Sequence, residues 1–150
     1  MYWDNIPVWF KFSYLGRKFA SYNACLTTAV YPRAWTDALG SEDPARPVES
    51  IAEAQCFVFA NQGTRSRIAL LEKLVAEFRI DGLVMQVSRT CKLFVPDQIA
   101  IMQSVQESTG LPGVIIEGDM VDERLFSEAK VDSAIDAFME RMARDKRGGG

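Results

Sequence analysis

The sequence predicts an α/β domain in which helices cover a mostly parallel sheet of about four strands. Short apolar segments typical of strands alternate with longer segments whose apolar residues recur at helical spacing. Alternation of this kind is typical of parallel sheets. The 150 residues, of which 48% are hydrophobic and 25% charged, suit one domain with a substantial core.

The four predicted strands span residues 6–10, 24–30, 82–87 and 113–117. Four helices are predicted around them, at residues 48–59, 67–79, from Pro96 onward, and 127–144. Proline suits the first helical turn of the third helix, and residues 41–47 read as a surface connection. The apolar faces that support the three later helices contain Ile68, Leu71, Leu74, Val75 and Phe78, then Val95, Ile99, Met102 and Val105, and finally Val131, Ile135, Phe138 and Met142.

Composition excludes several functional classes. The net charge of −3, with scattered basic residues, argues against a general nucleic-acid binder. Three cysteines at wide spacings do not form a disulfide framework or a C-x-x-C motif, which favours a reducing cytoplasm. Without histidine, imidazole bases and most zinc hydrolase sites are excluded. No membrane-spanning run or signal peptide is recognisable, so a cytoplasmic protein without a membrane partner is expected.

Cys91 is the first candidate site residue, because it follows an apolar strand and lies between two cations. The charges of Arg89 and Lys92 would favour its thiolate, the form of cysteine that reacts and binds metals. Loops between a strand and the next helix, at the carboxyl ends of parallel strands, are common ligand sites. The alternative is an inert thiol beside two solvated cations.

A second polar segment begins at the last residue of the final predicted strand, Glu117, and continues into the loop with Asp119. Since the carboxyl ends of parallel strands share one edge, this loop is expected beside the Cys91 loop. The two carboxylates could perform acid–base chemistry or orient cations. Equally, Asp119 could only form the turn.

The first 35 residues are rich in aromatic side chains. Two readings stay open: a stacking or partner-binding surface, or side chains that cover the sheet. The residues concerned are Tyr2, Trp3, Trp9, Phe10, Phe12, Tyr14, Phe19, Tyr22, Tyr31 and Trp35.

Several of these motifs together resemble the 2-hydroxyacyl-CoA dehydratase and benzoyl-CoA reductase family. The resemblance is carried by Asp-Gly-Leu-Val-Met at 81–85, Ser-Arg-Thr-Cys-Lys at 88–92, Gly-Val-Ile-Ile-Glu-Gly-Asp at 113–119 and the helix start at 127–129. Upstream it is weaker, through residues 6–10, Trp35, Asp43-Pro44 and 61–81. Residues 1–147 thus resemble the carboxyl-terminal domain of family subunits, and 148–150 form a glycine tail.

The resemblance implies a flavodoxin-like or Rossmann-like three-layer fold and a role in anaerobic metabolism. Family members are pairs of related subunits that hold a four-iron four-sulfur (4Fe-4S) cluster through cysteines. A separate ATP-hydrolysing activator protein delivers a low-potential electron, and an acyl-CoA thioester is then reduced or dehydrated. By this resemblance Cys91 is a cluster ligand, with Ser88, Arg89 and Lys92 beside the cofactor and Glu117 and Asp119 near the substrate.

The chain also departs from the family pattern. Family subunits are longer, and their amino-terminal domain supplies the remaining cluster cysteines, whereas Cys25 and Cys56 do not stand in those motifs. One thiolate cannot hold a cluster alone, so the isolated chain is expected to lack one unless a missing domain or partner chain supplies ligands.

Two alternatives of other classes are a non-catalytic flavodoxin-like module that binds a partner or serves as a scaffold, and a flavin-binding electron carrier. The absence of a phosphate-binding loop after the first predicted strand disfavours the flavin carrier.

Overall fold

A four-stranded, entirely parallel sheet forms the centre of the molecule. The computed structural model describes residues 1–34, 36 and 42–148, with side chains up to residue 145. The predictions for Trp35, for residue 41 and for residues 149–150 therefore lie outside the described residues. The sheet order is β2-β1-β3-β4, with strands β1 (Tyr2–Asp4), β2 (Thr28–Ala29), β3 (Leu83–Val87) and β4 (Gly113–Glu117).

Six α-helices occur in the described part of the chain. Those at the predicted positions are α3, α4, α5 and α6, whereas α1 and the short α2 were not predicted. Short 3-10 turns also occur at Trp9–Lys11, Phe59–Asn61 and Glu123–Leu125. The helices are α1 (Phe12–Ala20), α2 (Val30–Arg33), α3 (Pro47–Cys56), α4 (Thr64–Glu77), α5 (Val95–Thr109) and α6 (Glu128–Gly148).

The helices cover both faces of the sheet, which confirms the predicted three-layer α/β fold. Side chains of α1 and α6 form one core, which contains Trp3, Leu15, Phe19, Val84, Val114, Ile116, Val131, Ile135 and Phe138. Side chains of α2, α4 and α5 form the other, which contains Tyr2, Val30, Leu71, Leu74, Leu83, Met85, Ile101 and Val105. Successive strand residues alternate between the cores, as the pleat of a strand requires.

The first strand lies earlier in the chain than predicted. Residues 6–10 are a loop and the start of a 3-10 turn, and the paired strand ends at Asp4. The next residue, Asn5, adopts a left-handed backbone with a φ of 77°. Asparagine tolerates this conformation better than most residues, and its side-chain oxygen accepts a hydrogen bond from the Ile6 N–H at 2.8 Å. The extended chain therefore ends at this residue.

The parallel arrangement brings the loops after β1, β3 and β4 to one edge of the sheet, called the carboxyl edge below. No helix in the described ranges is both long and apolar enough to cross a membrane.

Candidate functional site at the carboxyl edge of the sheet

Cys91 lies in the tight connection between β3 and α5, as the sequence predicted. Its backbone N–H donates to the Ser88 carbonyl at 3.1 Å, which closes a turn immediately after the strand. The thiol is free, partly buried, and packed against the α4–α5 core. The cysteine is therefore held in place by the fold and is still accessible from the carboxyl edge.

Asp119 ties the loop after β4 to the loop that carries Cys91. Its Oδ2 accepts from the Ser88 hydroxyl at 2.8 Å and from the Thr90 hydroxyl. Its Oδ1 accepts from the backbone N–H groups of Val121 at 3.1 Å and Asp122 at 3.2 Å. Asp119 is only 6% exposed, and both carboxylate oxygens are occupied.

These hydrogen bonds hold the pKa of Asp119 well below its usual range. The Thr90 hydroxyl is the largest cause, followed by the Val121 N–H and the Ser88 hydroxyl, and together they outweigh the opposing effect of burial. A carboxylate so firmly ionised and fully hydrogen-bonded is suited to fixing two loops rather than to moving protons. Sequence reasoning missed Thr90, whose partner is 29 residues away in the chain.

Arg89 and Glu117 form an ion pair on the surface of the same edge. The guanidinium engages both carboxylate oxygens, with an Nη2–Oε2 distance of 3.1 Å and a closer contact through Nε. The Arg89 side chain is 67% exposed, so the pair contributes little to stability. Lys92 is exposed directly after Cys91. The structure thus brings five of the six predicted site residues together, in the loops after β3 and β4 and at the end of β4, and places Lys92 beside them.

A buried polar network, which the sequence did not reveal, lies beside these loops at the end of β1. Asp4 is 4% exposed and accepts from the Tyr2 hydroxyl at 2.8 Å and from Gln98 Nε2 at 2.7 Å. Arg67 Nη2 lies 3.8 Å from the same carboxylate, and the guanidinium lies 3.8 Å from the centre of the Phe94 ring. Burial raises the pKa of Asp4, although both hydrogen bonds and the arginine oppose the shift.

The network fills the crevice between β1 and β3, where the strand order reverses direction. Gln98 Nε2 also donates to the Gln86 carbonyl at 2.9 Å, and Asn5 Nδ2 donates to the same carbonyl at 3.1 Å. Gln86 in turn donates to the Gly118 carbonyl in the loop after β4. This switch point is the usual ligand position in open α/β sheets, but here the chain's own amides occupy it.

Within the described residues, no second cysteine lies beside Cys91. Cys25 is exposed at the amino end of the sheet, where its carbonyl accepts from the Met1 amine, and Cys56 is exposed at the end of α3. No group of three or more cysteine, aspartate or glutamate side chains is arranged to hold a metal ion within the described ranges. Cys91 thus offers one thiolate, which does not fit an iron–sulfur cluster by itself.

Large exposed apolar side chains also stand on the carboxyl edge. Those of Trp9, Leu93, Met120 and Val121 are 49%, 73%, 44% and 70% exposed, and they stand in the loops after β1, β3 and β4. We call these four residues the carboxyl-edge surface. Apolar residues grouped on a surface are typical of an interaction site.

The family profile of the 2-hydroxyglutaryl-CoA dehydratase D-component matches residues 1–142. The chain belongs to this family. The match covers both cores, the Cys91 loop and the Asp119 loop.

The chain is also similar to subunits of several acyl-CoA enzymes. The chain is 29% identical over 140 residues to the lactoyl-CoA dehydratase subunit alpha of Anaerotignum propionicum, with 93% of this chain and 33% of that protein covered. It is 29% identical over 145 residues to a benzoyl-CoA reductase subunit of Thauera aromatica, with 95% and 33% covered. The (R)-2-hydroxyisocaproyl-CoA dehydratase alpha subunit of Clostridioides difficile is 28% identical over 144 residues, with 96% and 34% covered. The chain thus spans about one third of the length of these relatives.

Proposed function

We propose that this chain is the carboxyl-terminal domain of a 2-hydroxyacyl-CoA dehydratase or benzoyl-CoA reductase subunit, in which Cys91 supplies one thiolate to a 4Fe-4S cluster. The observation that carries the proposal is the placement of Cys91, a partly exposed thiol at the carboxyl edge of a parallel sheet in a chain of this family. The names of the relatives, all acyl-CoA dehydratases or reductases, support the substrate class.

The remaining cluster ligands come from another polypeptide segment. Relatives are about three times as long as this chain, so a segment with further cysteines has room in the full subunit. The carboxyl-edge surface supports this arrangement, because it exposes apolar side chains, on the same edge as Cys91, that a second domain would cover. Each of these relatives is named as one subunit of an enzyme, which supports a related second subunit as a further partner.

The chain's own residues position the cysteine. Asp119, through Ser88 and Thr90, fixes the loop that carries Cys91, so that the thiolate is held before the cluster binds. Arg89 and Lys92 stand on either side of the cysteine in the chain, and Arg89 is held at this edge by Glu117. When bound, the cluster would supply one-electron chemistry toward an acyl-CoA thioester, with electrons delivered by a separate ATP-hydrolysing protein.

The test is anaerobic reconstitution with iron and sulfide, with the chain alone and with the amino-terminal two thirds of the Anaerotignum propionicum relative. The combined sample is expected to develop sulfur-to-iron charge-transfer absorption, and the chain alone is expected to develop none. Cys91→Ala should abolish the absorption, whereas Cys25→Ala and Cys56→Ala, which remove exposed thiols elsewhere, should leave it unchanged. Full absorption in the Cys91→Ala sample would overturn the ligand assignment.

A non-catalytic partner-binding module is the second candidate, and the exposed carboxyl-edge surface favours it equally. It predicts a stable complex with the amino-terminal segment that contains no iron after reconstitution. Size-exclusion chromatography combined with iron analysis separates the two candidates, because only the enzyme proposal requires iron in the complex.

A further inference from the structure

An apolar cavity of about 440 Å³ lies between α1 and β2, the strand at one edge of the sheet. Its volume falls in the range of small-molecule sites, about 300–1000 Å³. None of the described residues in the Cys91 loop or the Asp119 loop lines it. The cavity is therefore separate from the candidate site at those two loops.

Large buried side chains form the floor of the cavity, and a small residue keeps its mouth open. On the floor, Val8 is 0% exposed and Phe19 1%. Gly16 of α1 lines the mouth, and a Cβ at this position would meet nothing within 4 Å. Phe12, also at the mouth, is 59% exposed and stacks on Trp9 with ring centres 6.2 Å apart. The cavity thus combines a packed apolar floor with an open, aromatic rim.

The lining carries no charge. Among the described residues, no lysine, arginine, aspartate or glutamate lines this cavity. A charged ligand would lose hydration there without gaining an ion pair, whereas apolar surface is stabilised by burial. The cavity therefore selects neutral ligands and disfavours phosphates and carboxylates.

The indole of Trp3 adds one polar requirement. Trp3 lines the cavity and is 3% exposed, and its Nε1–H is buried without a hydrogen-bond acceptor among the described residues. A buried indole N–H usually has an acceptor, because leaving the donor unpaired costs free energy. The indole nitrogen can only donate, so a ligand that satisfies it must supply an acceptor such as a carbonyl oxygen.

We propose that this cavity binds a neutral, largely apolar ring compound whose carbonyl oxygen accepts a hydrogen bond from Trp3 Nε1. The ring packs on the apolar floor and against Phe12 at the mouth. The absence of charge from the lining separates this ligand class from the polyanionic nucleotide of an acyl-CoA thioester. The proposal does not depend on the iron–sulfur assignment of Cys91.

The experiment is equilibrium dialysis of the full chain with three probes that share one ring system: 2-acetylnaphthalene, 2-ethylnaphthalene and 2-naphthoate. The ratio of ketone affinity to hydrocarbon affinity should fall about tenfold in Trp3→Phe, because the phenyl ring cannot donate to the ketone. The difference in hydrophobicity between the two probes cancels in this comparison. The naphthoate should bind the wild type about tenfold or more weakly than the ketone, because its charge has no partner. An unchanged ratio in Trp3→Phe, equal affinity for naphthoate, or no binding of the ketone would overturn the proposal.

Gly16→Leu tests the same cavity without altering its buried floor. The added side chain would occupy the open mouth, so binding of 2-acetylnaphthalene should weaken by about tenfold or more. Ser13→Leu is the matched control, because it places leucine at an exposed position of α1 outside the lining and should bind as the wild type does. Equal ketone affinity in the two variants would overturn the assignment to this cavity.

Two cysteines locate the ligand in the wild-type chain. Cys25 is exposed and lines the cavity, whereas Cys56 is exposed at the end of α3. Saturation with 2-acetylnaphthalene should slow the alkylation of Cys25 by iodoacetamide severalfold and leave that of Cys56 unchanged, as measured by mass spectrometry. An unprotected Cys25 would place the ligand elsewhere and overturn the proposal. None of these measurements uses iron or an amino-terminal segment, so failure of this site and failure of cluster reconstitution are separate results.

Discussion

At the scale of single residues, the sequence predicted which loops carry the polar groups, and the structure shows how these groups are hydrogen-bonded. Cys91 was found from its neighbours in the chain, and the structure places it in the predicted strand-to-helix loop. The role of Asp119 required the pairing of β3 with β4, which brings Ser88 and Thr90 to a residue about thirty positions later. Asp4 and Gln98, 94 residues apart, could not be paired from the sequence at all.

Replacing Asp119 with asparagine is expected to lower the free energy of unfolding at pH 7 by roughly 2 kcal/mol. The variant loses charge-assisted hydrogen bonds at a buried site, and its amide group would face hydroxyl and N–H donors. Urea denaturation measures the change. Asp145→Asn, in an exposed pair with Arg141 on α6, is the control and should change stability by less than about 1 kcal/mol.

The loss caused by Asp119→Asn should depend on pH. The pKa of Asp119 is lowered in the folded state, so the unfolded state binds more protons as the pH falls below the ordinary carboxylate value of about 4. The stability difference between wild type and variant should therefore be full at neutral pH and shrink in acid. A difference that stays constant from pH 7 to pH 3 would show that the Asp119 charge does not matter.

The buried carboxylate of Asp4, beside Arg67, has its pKa shifted in the opposite direction to that of Asp119. Arg67→Met leaves a buried carboxylate without its cation and should cost about 3 kcal/mol at pH 7. The pKa of Asp4 is raised in the folded state, so its contribution to stability falls as the pH rises through that pKa. The cost of Arg67→Met should therefore be smaller at pH 4, where Asp4 takes up a proton more readily.

A double-mutant cycle with Asp4→Asn checks this account of the buried pair. If the carboxylate is the source of the cost, Asp4→Asn/Arg67→Met should be more stable than Arg67→Met alone. Strict additivity of the two single changes would contradict it.

At the scale of elements, the central strands were predictable and the first segment was not. Strands β3 and β4 are short apolar runs bounded by glycine, proline or polar residues, and the structure places them within one residue of the prediction. The first 20 residues are aromatic throughout, so their periodicity did not separate a strand that ends at Asn5 from the helix α1 that follows. The order of the strands also depends on long-range packing that local patterns do not contain.

Gly82, just before β3, tests the packing of α6 on the sheet. A Cβ at this position would lie 2.7 Å from Cζ of Phe138 and 3.1 Å from Sδ of Met142, both on α6. Gly82→Ala should therefore destabilise the fold by about 1–3 kcal/mol, because the core is already filled.

Gly16→Ala on α1 is the matched control for the packing test. The added methyl group meets nothing within 4 Å, and alanine favours the helix by about 1 kcal/mol over glycine. In thermal or urea unfolding, the free energy of unfolding should therefore fall for Gly82→Ala and rise for Gly16→Ala. Equal destabilisation by both substitutions would contradict the packing described here.

At the scale of the whole molecule, the carboxyl edge is the face that carries both Cys91 and the carboxyl-edge surface. The chain corresponds to about one third of the length of its relatives, and the apolar residues of the carboxyl-edge surface are exposed in this third. The resemblance to the family was predictable from motifs in the second half of the chain. The shape of this surface was not, because it requires the loops after three strands to meet.

Leu93→Gln/Val121→Gln is expected to weaken association with the amino-terminal segment of a relative by about tenfold or more, with little change in the stability of the isolated chain. Both side chains are at least 70% exposed, so the isolated fold does not depend on them. Val48→Gln/Ile51→Gln on α3, which also replaces two exposed apolar residues, is the control for binding measured by interferometry. Unchanged affinity in the carboxyl-edge variant would place the partner on another surface.

The most direct test of whether Cys91 is a cluster ligand is to replace its sulfur with selenium and to look for iron beside it. Cys91→Sec is prepared in the reconstituted assembly of this chain with the amino-terminal segment, and selenium X-ray absorption is measured, with Cys25→Sec as the control. We expect an iron scatterer at bonding distance from the selenium at position 91 and none at position 25. An assembly that contains a cluster but shows only light atoms around the selenium at position 91 would contradict the proposal that this domain supplies a cluster ligand.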